Sequence, residues 1–176
     1  MMSRVIVRPG RLDDLGAVNR IYNHYIEQTI ITFDVDPWPL EKRAEWFTHY
    51  HETGRHRFLV AEAGGAVAGF ATSSALRPKA AYNTSVETSV YLDPNQTGMG
   101  IGSRLYQALF DSLVAEDVHR AYAGIALPNL ASIKLHLRFG FVPIGTYSEV
   151  GRKFGSYHSV QWFEKSLDRQ HDLRPL

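Results

Sequence analysis

The sequence contains no cysteine, which excludes disulfides, thiolate metal ligands and a thiol nucleophile together. It lacks any apolar run of membrane-spanning length. Residues 1–10 carry Arg4 and Arg8 among isolated apolar side chains, where a signal peptide needs a continuous apolar core. An excess of charge is missing too. The 19 Lys and Arg against 18 Asp and Glu leave a formal net charge of +1, so nothing demands nucleic acid or an anionic membrane as partner. The eight histidines form no ligand spacing, and His49 and His51 diverge on a helix, so no metal is expected. There is no repeat, linker or low-complexity segment. What remains is a cytoplasmic protein of one domain over residues 1–176, with a core over about 4–166 and a polar, frayed tail over 167–176.

The chain is organised around residues 86–113. Val86-Glu87-Thr88-Ser89-Val90-Tyr91-Leu92 is rich in β-branched and aromatic residues and is closed by Asp93-Pro94, which predicts a strand. Asn95-Gln96-Thr97-Gly98-Met99-Gly100-Ile101-Gly102-Ser103 follows, with glycine at every second position from Gly98. Ile101, Leu105, Leu109 and Leu113 then recur every four residues, the buried stripe of a helix. A glycine-lined turn entering a helix presents unpaired backbone N–H groups and the positive end of the helix dipole, a seat for phosphate. The last glycine of a dinucleotide fingerprint started at Gly98 would fall on Ser103, and Arg104 stands where a nucleotide-triphosphate loop needs its Lys. Two readings stand at this point: a phosphate loop of another kind, or a tight turn whose glycines serve geometry alone.

The flanking elements are legible in outline. A strand at residues 4–8 precedes a helix opened by Asp13 and Asp14, and 29–33 is a β-prone connector. A second helix over about 40–52 follows Asp36-Pro37-Trp38-Pro39. Residues 58–62 and 67–73 flank Gly64-Gly65 as a hairpin. A strand at 119–125, a helix at about 130–138 ending before Gly140, and a long late hairpin complete the chain. Helices alternating with strands give an α/β class.

The loop resembles the pyrophosphate loop of the GCN5-related N-acetyltransferases, Q/R-x-x-G-x-G/A between a strand and a helix. Gly100 and Gly102 take its glycine positions and Thr97 takes the place of Gln or Arg. A second motif of that family, N-x-x-A/S-x-x-L-Y-x-x-x-G-F, is matched by Asn129, Ser132, Leu135, Gly140 and Phe141, with His136 in place of the Tyr. The runs 82–94, 124–129 and 154–158 are similar to the phosphinothricin acetyltransferase group within it. The resemblance spans nearly the whole chain and implies a mixed central sheet with flanking helices in the order β-α-α-β-β-β-α-β-α-β-β. It implies acetyl-CoA as co-substrate, held by Val90, Tyr91, Leu92, Thr97, Gly98, Met99, Gly100, Ile101, Gly102, Ser103 and Asn129. The acceptor it implies is the α-amine of a small amino-acid analogue such as phosphinothricin, methionine sulfoximine or methionine sulfone. A homodimer is implied as well.

An α-ammonium must lose a proton before its nitrogen can attack a thioester. Glu87 stands in an otherwise apolar strand, where burial would raise its pKa toward the range of a general base. The alternative is a Glu facing solvent or paired with an Arg. His136, flanked by Leu135 and Leu137, is either a core histidine or, on the family's Tyr position, the proton donor to the leaving thiolate. Arg77 and Lys79, with Tyr82, precede Glu87 where the similar group binds its substrate, though in the order Arg then Lys rather than Lys then Arg. Phe33 is an apolar wall of that site or plain core. Three other functions remain open: the same chemistry on an aminoglycoside, polyamine or protein N-terminus, a catalytically silent acyl-CoA-binding module, and a dinucleotide-binding protein. The cations at 77 and 79 argue against a cationic acceptor, and the missing third glycine against a dinucleotide.

Overall fold

A computed structural model describes residues 4–167. Seven strands form one sheet in the order β1-β2-β3-β4-β5-β7-β6. β1 (Val5–Pro9), β2 (Arg57–Ala63), β3 (Ala66–Ala75) and β4 (Ser85–Leu92) are antiparallel neighbours, and β5 (Arg120–Ala126) runs parallel to β4. β6 (Val142–Lys153) and β7 (Ser156–Ser166) form the late hairpin, with β7 against β5 and β6 at the edge. The helices are α1 (Leu15–Gln28), α2 (Leu40–Phe47), α3 (Ile101–Leu113) and α4 (Leu130–Arg138).

Alternation along the strands divides the core between two faces. On one, Val86, Ala121, Ala123 and Ile125 lie beneath Ile101, Leu105, Leu109 and Leu113, the stripe legible in the sequence. Each such leucine contributes about 1.5–3 kcal/mol by leaving water. On the other face, Phe58, Val60 and Phe70 meet Leu15, Val18 and Ile21 of α1 and the rings of α2. The β2–β3 hairpin turns on Gly64 and Gly65, with φ of +60° and +81°, as their pairing in the sequence foretold.

One element differs from expectation. α2 stops at Phe47 rather than near 52, because the Thr48 N–H turns back to the Glu45 carbonyl in a tighter turn. The β-prone connector forms no strand. It is an irregular strap over 29–39, held by side chains in place of a ladder. The Tyr22 hydroxyl donates to Asp34 at 2.5 Å, Asn19 and Asn23 donate to the Trp38 carbonyl, and buried Lys153 Nζ donates to the Thr32 carbonyl at 2.8 Å. Below it, the Arg43 guanidinium is buried among the rings of Tyr22, Trp38 and Trp46.

The feature that makes a site is a fork in the sheet. β4 and β5 pair only at Ser85↔Arg120, Val86↔Ala121 and Glu87↔Tyr122. Beyond Glu87 they part, while β4 stays paired with β3 as far as Leu92 and β5 with β7 as far as Ala126. At the far edge, residues 142–150 of β6 are all exposed. Among the described residues, no helix is long and apolar enough to cross a membrane and no cluster of ligating side chains suits a metal ion. The expected frayed tail lies outside the described residues from 168 onward.

Candidate active site

The fork opens a cavity of about 300 Å³. One wall is the end of β4. Val90 and Leu92 lean toward α3 and Tyr91 toward α1, and all three line the cavity. Their inner backbone edge, left without a strand by the departure of β5, offers N–H and C=O groups to a ligand. Tyr25 and Ile31 add an apolar side, with the Tyr25 hydroxyl fixed on the Leu92 carbonyl at 2.8 Å.

The glycine turn forms one end. Asp93 accepts from the Asn95 N–H, and the chain then passes through Gly98 and Gly100 at φ +74° and +75°. These left-handed angles aim the turn into α3, and a Cβ at either residue would meet nothing within 4 Å, so the surface above the loop is open. Thr97, Gly98 and Gly102 line the cavity. Gly102 sits between Leu135 and Leu92, and an added Cβ would be in ordinary contact with them, at 3.5 and 3.7 Å. Ile101 is fully buried and anchors the turn from below, while Met99 is 51% exposed. The free N–H groups at the start of α3 converge on this end, and the donor set fits a pyrophosphate.

α4 forms the opposite wall. Asn129 caps it by accepting from the Ser132 N–H at 3.1 Å and lines the cavity. His136 also lines it but is only 3% exposed. Its Nδ1 must be the donor to the Ser132 carbonyl at 2.8 Å, because a carbonyl cannot donate. Nε2 then accepts from the Tyr106 hydroxyl at 2.8 Å, so both ring nitrogens are engaged. Burial lowers the His136 pKa, against the pull of the Ser132 carbonyl, and raises that of Tyr106.

Glu87 points the other way. Thr88 bonds toward Tyr106 on the α3 side, so Glu87, one residue earlier, faces the α1 side with Tyr91. It is the last paired residue before the fork and is half-buried. Burial raises its pKa, and the charge of Arg77 works against that rise. Beside it, Leu76, Arg77, Tyr82, Tyr122, Tyr147 and Trp162 contribute to a second cavity of about 400 Å³. The Trp162 ring lies on Gly124, where an added Cβ would come within 3.2 Å of it. Lys79 is exposed and Phe33 packs on Gly151 of β6, and neither lines either cavity.

Sequence reasoning missed several lining residues. Tyr106 forms a second row on α3 with Gly102, one residue off the leucine stripe, and that spacing was available. Tyr122, Tyr147 and Trp162 meet only through the β5–β7–β6 register, which no local pattern reveals.

Comparison with known proteins accords with this architecture. The profile of the Acetyltransferase (GNAT) family matches residues 18–141. A phosphinothricin N-acetyltransferase of Streptomyces coelicolor is 53% identical over 167 residues, covering 94% of this chain and 98% of that protein. An L-methionine sulfoximine/L-methionine sulfone acetyltransferase of Pseudomonas aeruginosa is 33% identical over 162 residues, covering 92% and 94%. Among solved structures, a GNAT superfamily phosphinothricin acetyltransferase from Sinorhizobium meliloti in complex with AcCoA superposes with a TM-score of 0.89 at 28% identity, covering 98% and 93%. By that profile and by these relatives, this chain belongs to the acetyltransferase (GNAT) family as an acetyl-CoA-dependent N-acetyltransferase.

Proposed function

We propose that the protein acetylates the α-amine of a small amino-acid analogue of the phosphinothricin, methionine sulfoximine or methionine sulfone type. The observation that carries this is the placing of Glu87 at the vertex of the fork, with the cavity of Arg77 and Tyr82 on its own face. The names of the relatives at 53% and 33% identity support the substrate class.

Bound acetyl-CoA would supply the acetyl group as a thioester: the neutral amine forms the amide C–N bond as the C–S bond breaks, and the proton the nitrogen sheds balances the departing coenzyme A thiolate. The chain's residues do the rest. The amides of 97–103 hold the pyrophosphate and the free edge of Val90, Tyr91 and Leu92 pairs with the pantetheine arm. Asn129 supports the arm from α4. Glu87 takes the proton from the α-ammonium, directly or through a water, and its raised pKa makes it a stronger base than an exposed carboxylate. Arg77 holds an anionic group of the acceptor beside the wall of Tyr82, while Lys79 adds charge from the exposed loop and Phe33 supports the site from behind β6. His136 serves through Tyr106, whose hydroxyl it fixes at the cavity. Direct attack calls for no metal and no covalent enzyme intermediate. Acetyl-CoA is held inside cells, which supports a cytoplasmic place of work.

A homodimer belongs to this reading. β6 is an edge strand whose Ile144, Tyr147 and Val150 are exposed, and a two-fold partner would cover them. A monomeric mass in light scattering at micromolar concentration would refute it.

The acceptor is tested by competition at fixed acetyl-CoA, following thiol release. Methionine sulfone, methionine sulfoximine or phosphinothricin should outcompete spermidine and kanamycin by a wide margin, because their amines arrive with an anion for the basic loop. Preference for spermidine would defeat the acceptor reading and leave the acetyltransferase intact.

A further inference from the structure

The glycine turn has no cation of its own, since residues 94–103 contain neither Lys nor Arg. Coenzyme A carries a pyrophosphate and, on its ribose, a separate 3′-phosphate, and backbone amides at one helix end cannot neutralise both. Cations gather instead on the outer side of the turn. Ala131 and Leu135 of α4 line the cavity, and the stripe they begin continues at Arg138 in the last turn of the helix. Leu135 packs against Gly102, and Arg138 Nη1 reaches Ser103 Oγ at 3.3 Å. Arg104 follows Ser103 directly.

The surroundings leave these charges available. Neither α4 nor the first eight residues of α3 contains an Asp or Glu. Among the described residues, neither Arg138 nor Arg104 forms an ion pair with a carboxylate. One N–H of the Arg138 guanidinium is spent on Ser103, so the fork is oriented while its other donors face outward.

Resting on the acetyl-CoA reading above, we propose that Arg138, steadied by Ser103 and joined by Arg104, is the seat of the coenzyme's 3′-phosphate. Its chemistry is recognition of a dianionic monophosphate by a guanidinium fork, beside a pyrophosphate held by amides. The enzyme thereby distinguishes coenzyme A from 3′-dephospho-coenzyme A, and the discrimination resides in side chains outside the glycine turn.

The test is calorimetric binding of coenzyme A and of 3′-dephospho-coenzyme A to the whole protein, without acceptor. Wild type should bind coenzyme A about tenfold more tightly, the order expected for one exposed but oriented charge-assisted contact supported by a second. Arg138→Gln should remove most of that preference by weakening coenzyme A alone, leaving the dephospho compound within about twofold of its wild-type affinity. Raising the salt concentration should shrink the wild-type preference and leave that of the variant nearly flat. Equal binding of the two compounds by wild type would overturn the phosphate seat and leave the acetyl-CoA reading standing. So would an Arg138→Gln variant that loses both ligands equally, since the arginine would then be shaping the turn. Failure of wild type to bind either compound would overturn the acetyl-CoA reading as well. Arg138 is exposed, so its replacement does not threaten folding, and Arg104→Gln offers a second variant with the same signature at smaller size.

Discussion

The two cavities on either side of Glu87 are built in opposite ways. The first is walled by β4 over 88–92, β5 over 123–126, the glycine turn and α4, with Tyr25, Ile31 and Tyr106 between them, and the fork and the turn present backbone groups to it. The second is assembled from single side chains on β5, β6, β7 and the β3–β4 loop, and its character is aromatic with one guanidinium. Backbone donors at a fork and a helix end suit a ligand part common to a whole family. Side chains collected from distant strands suit a part that differs from member to member. Glu87 stands at the junction between them, last in the paired ladder, on the sheet face of Tyr91 and within reach of the charge of Arg77.

The largest effect should come at that junction. Glu87→Gln should lower kcat by about two to four orders of magnitude and leave acetyl-CoA affinity near wild type. The pH dependence sharpens this. Burial raises the pKa, and the base acts only when deprotonated. The acidic limb of the rate profile should therefore rise above the ordinary carboxylate range in wild type and flatten in the variant. Wild-type turnover in Glu87→Gln would remove the residue from the mechanism.

The next two substitutions separate the cavities from each other. Gly100→Val forces a β-branched residue to φ +75°, a local cost of about 1–3 kcal/mol that the loop relieves by turning its amides away. Acetyl-CoA should bind about tenfold or more weakly, by calorimetry, with the melting temperature little changed, because the position is exposed. Arg77→Gln should instead raise the acceptor's KM by about five- to tenfold with kcat within about twofold and acetyl-CoA binding unmoved, the signature of lost uniform binding. If either variant disturbed both ligands alike, the division between the cavities would be false.

His136→Phe should have the smallest effect on rate and a visible one on stability. It removes the closer acceptor of the buried Tyr106 hydroxyl and leaves Thr88 Oγ1 at 3.4 Å, at a cost of about 1 kcal/mol. A melting point lowered by a few degrees with turnover reduced several-fold would fit a histidine acting through Tyr106. Turnover reduced as far as in Glu87→Gln would instead make the imidazole a direct participant.

The same division marks what was legible in the sequence. The leucine stripe of α3 and the Gly64-Gly65 turn are local, and each is where the sequence put it. The order of helices and strands followed from them. The path of the strap was not legible, because Thr29 to Phe33 have β-prone side chains and no neighbouring strand to pair with. The side-chain bonds that fix it come from as far away as Lys153. Tyr122, Tyr147 and Trp162 were invisible for a related reason, since their meeting depends on a register set by the whole sheet. Glu87 was found as an oddity, a carboxylate in an apolar strand, but its position at the end of a three-residue ladder belongs to the fold alone.

That three-residue ladder also bears on how the molecule holds together. β1 to β4 form one hydrogen-bonded half and β5, β7 and β6 the other, and the ladder between them is three residue pairs long, ending at Glu87 and Tyr122. Further cohesion comes from α3, which packs across β4 and β5 alike, from the Thr88 hydroxyl on the Tyr122 carbonyl, and from Lys153 on the strap. A ligand laid along the free edge of β4 is in effect an eighth strand, completing the ladder that the protein interrupts. Its binding free energy is then also cohesion between the half-sheets, worth about 2.7 kcal/mol at a hundredfold excess over its dissociation constant. On the proposed placement along β4, the co-substrate would be a temporary part of the sheet, withdrawn at the end of each turnover.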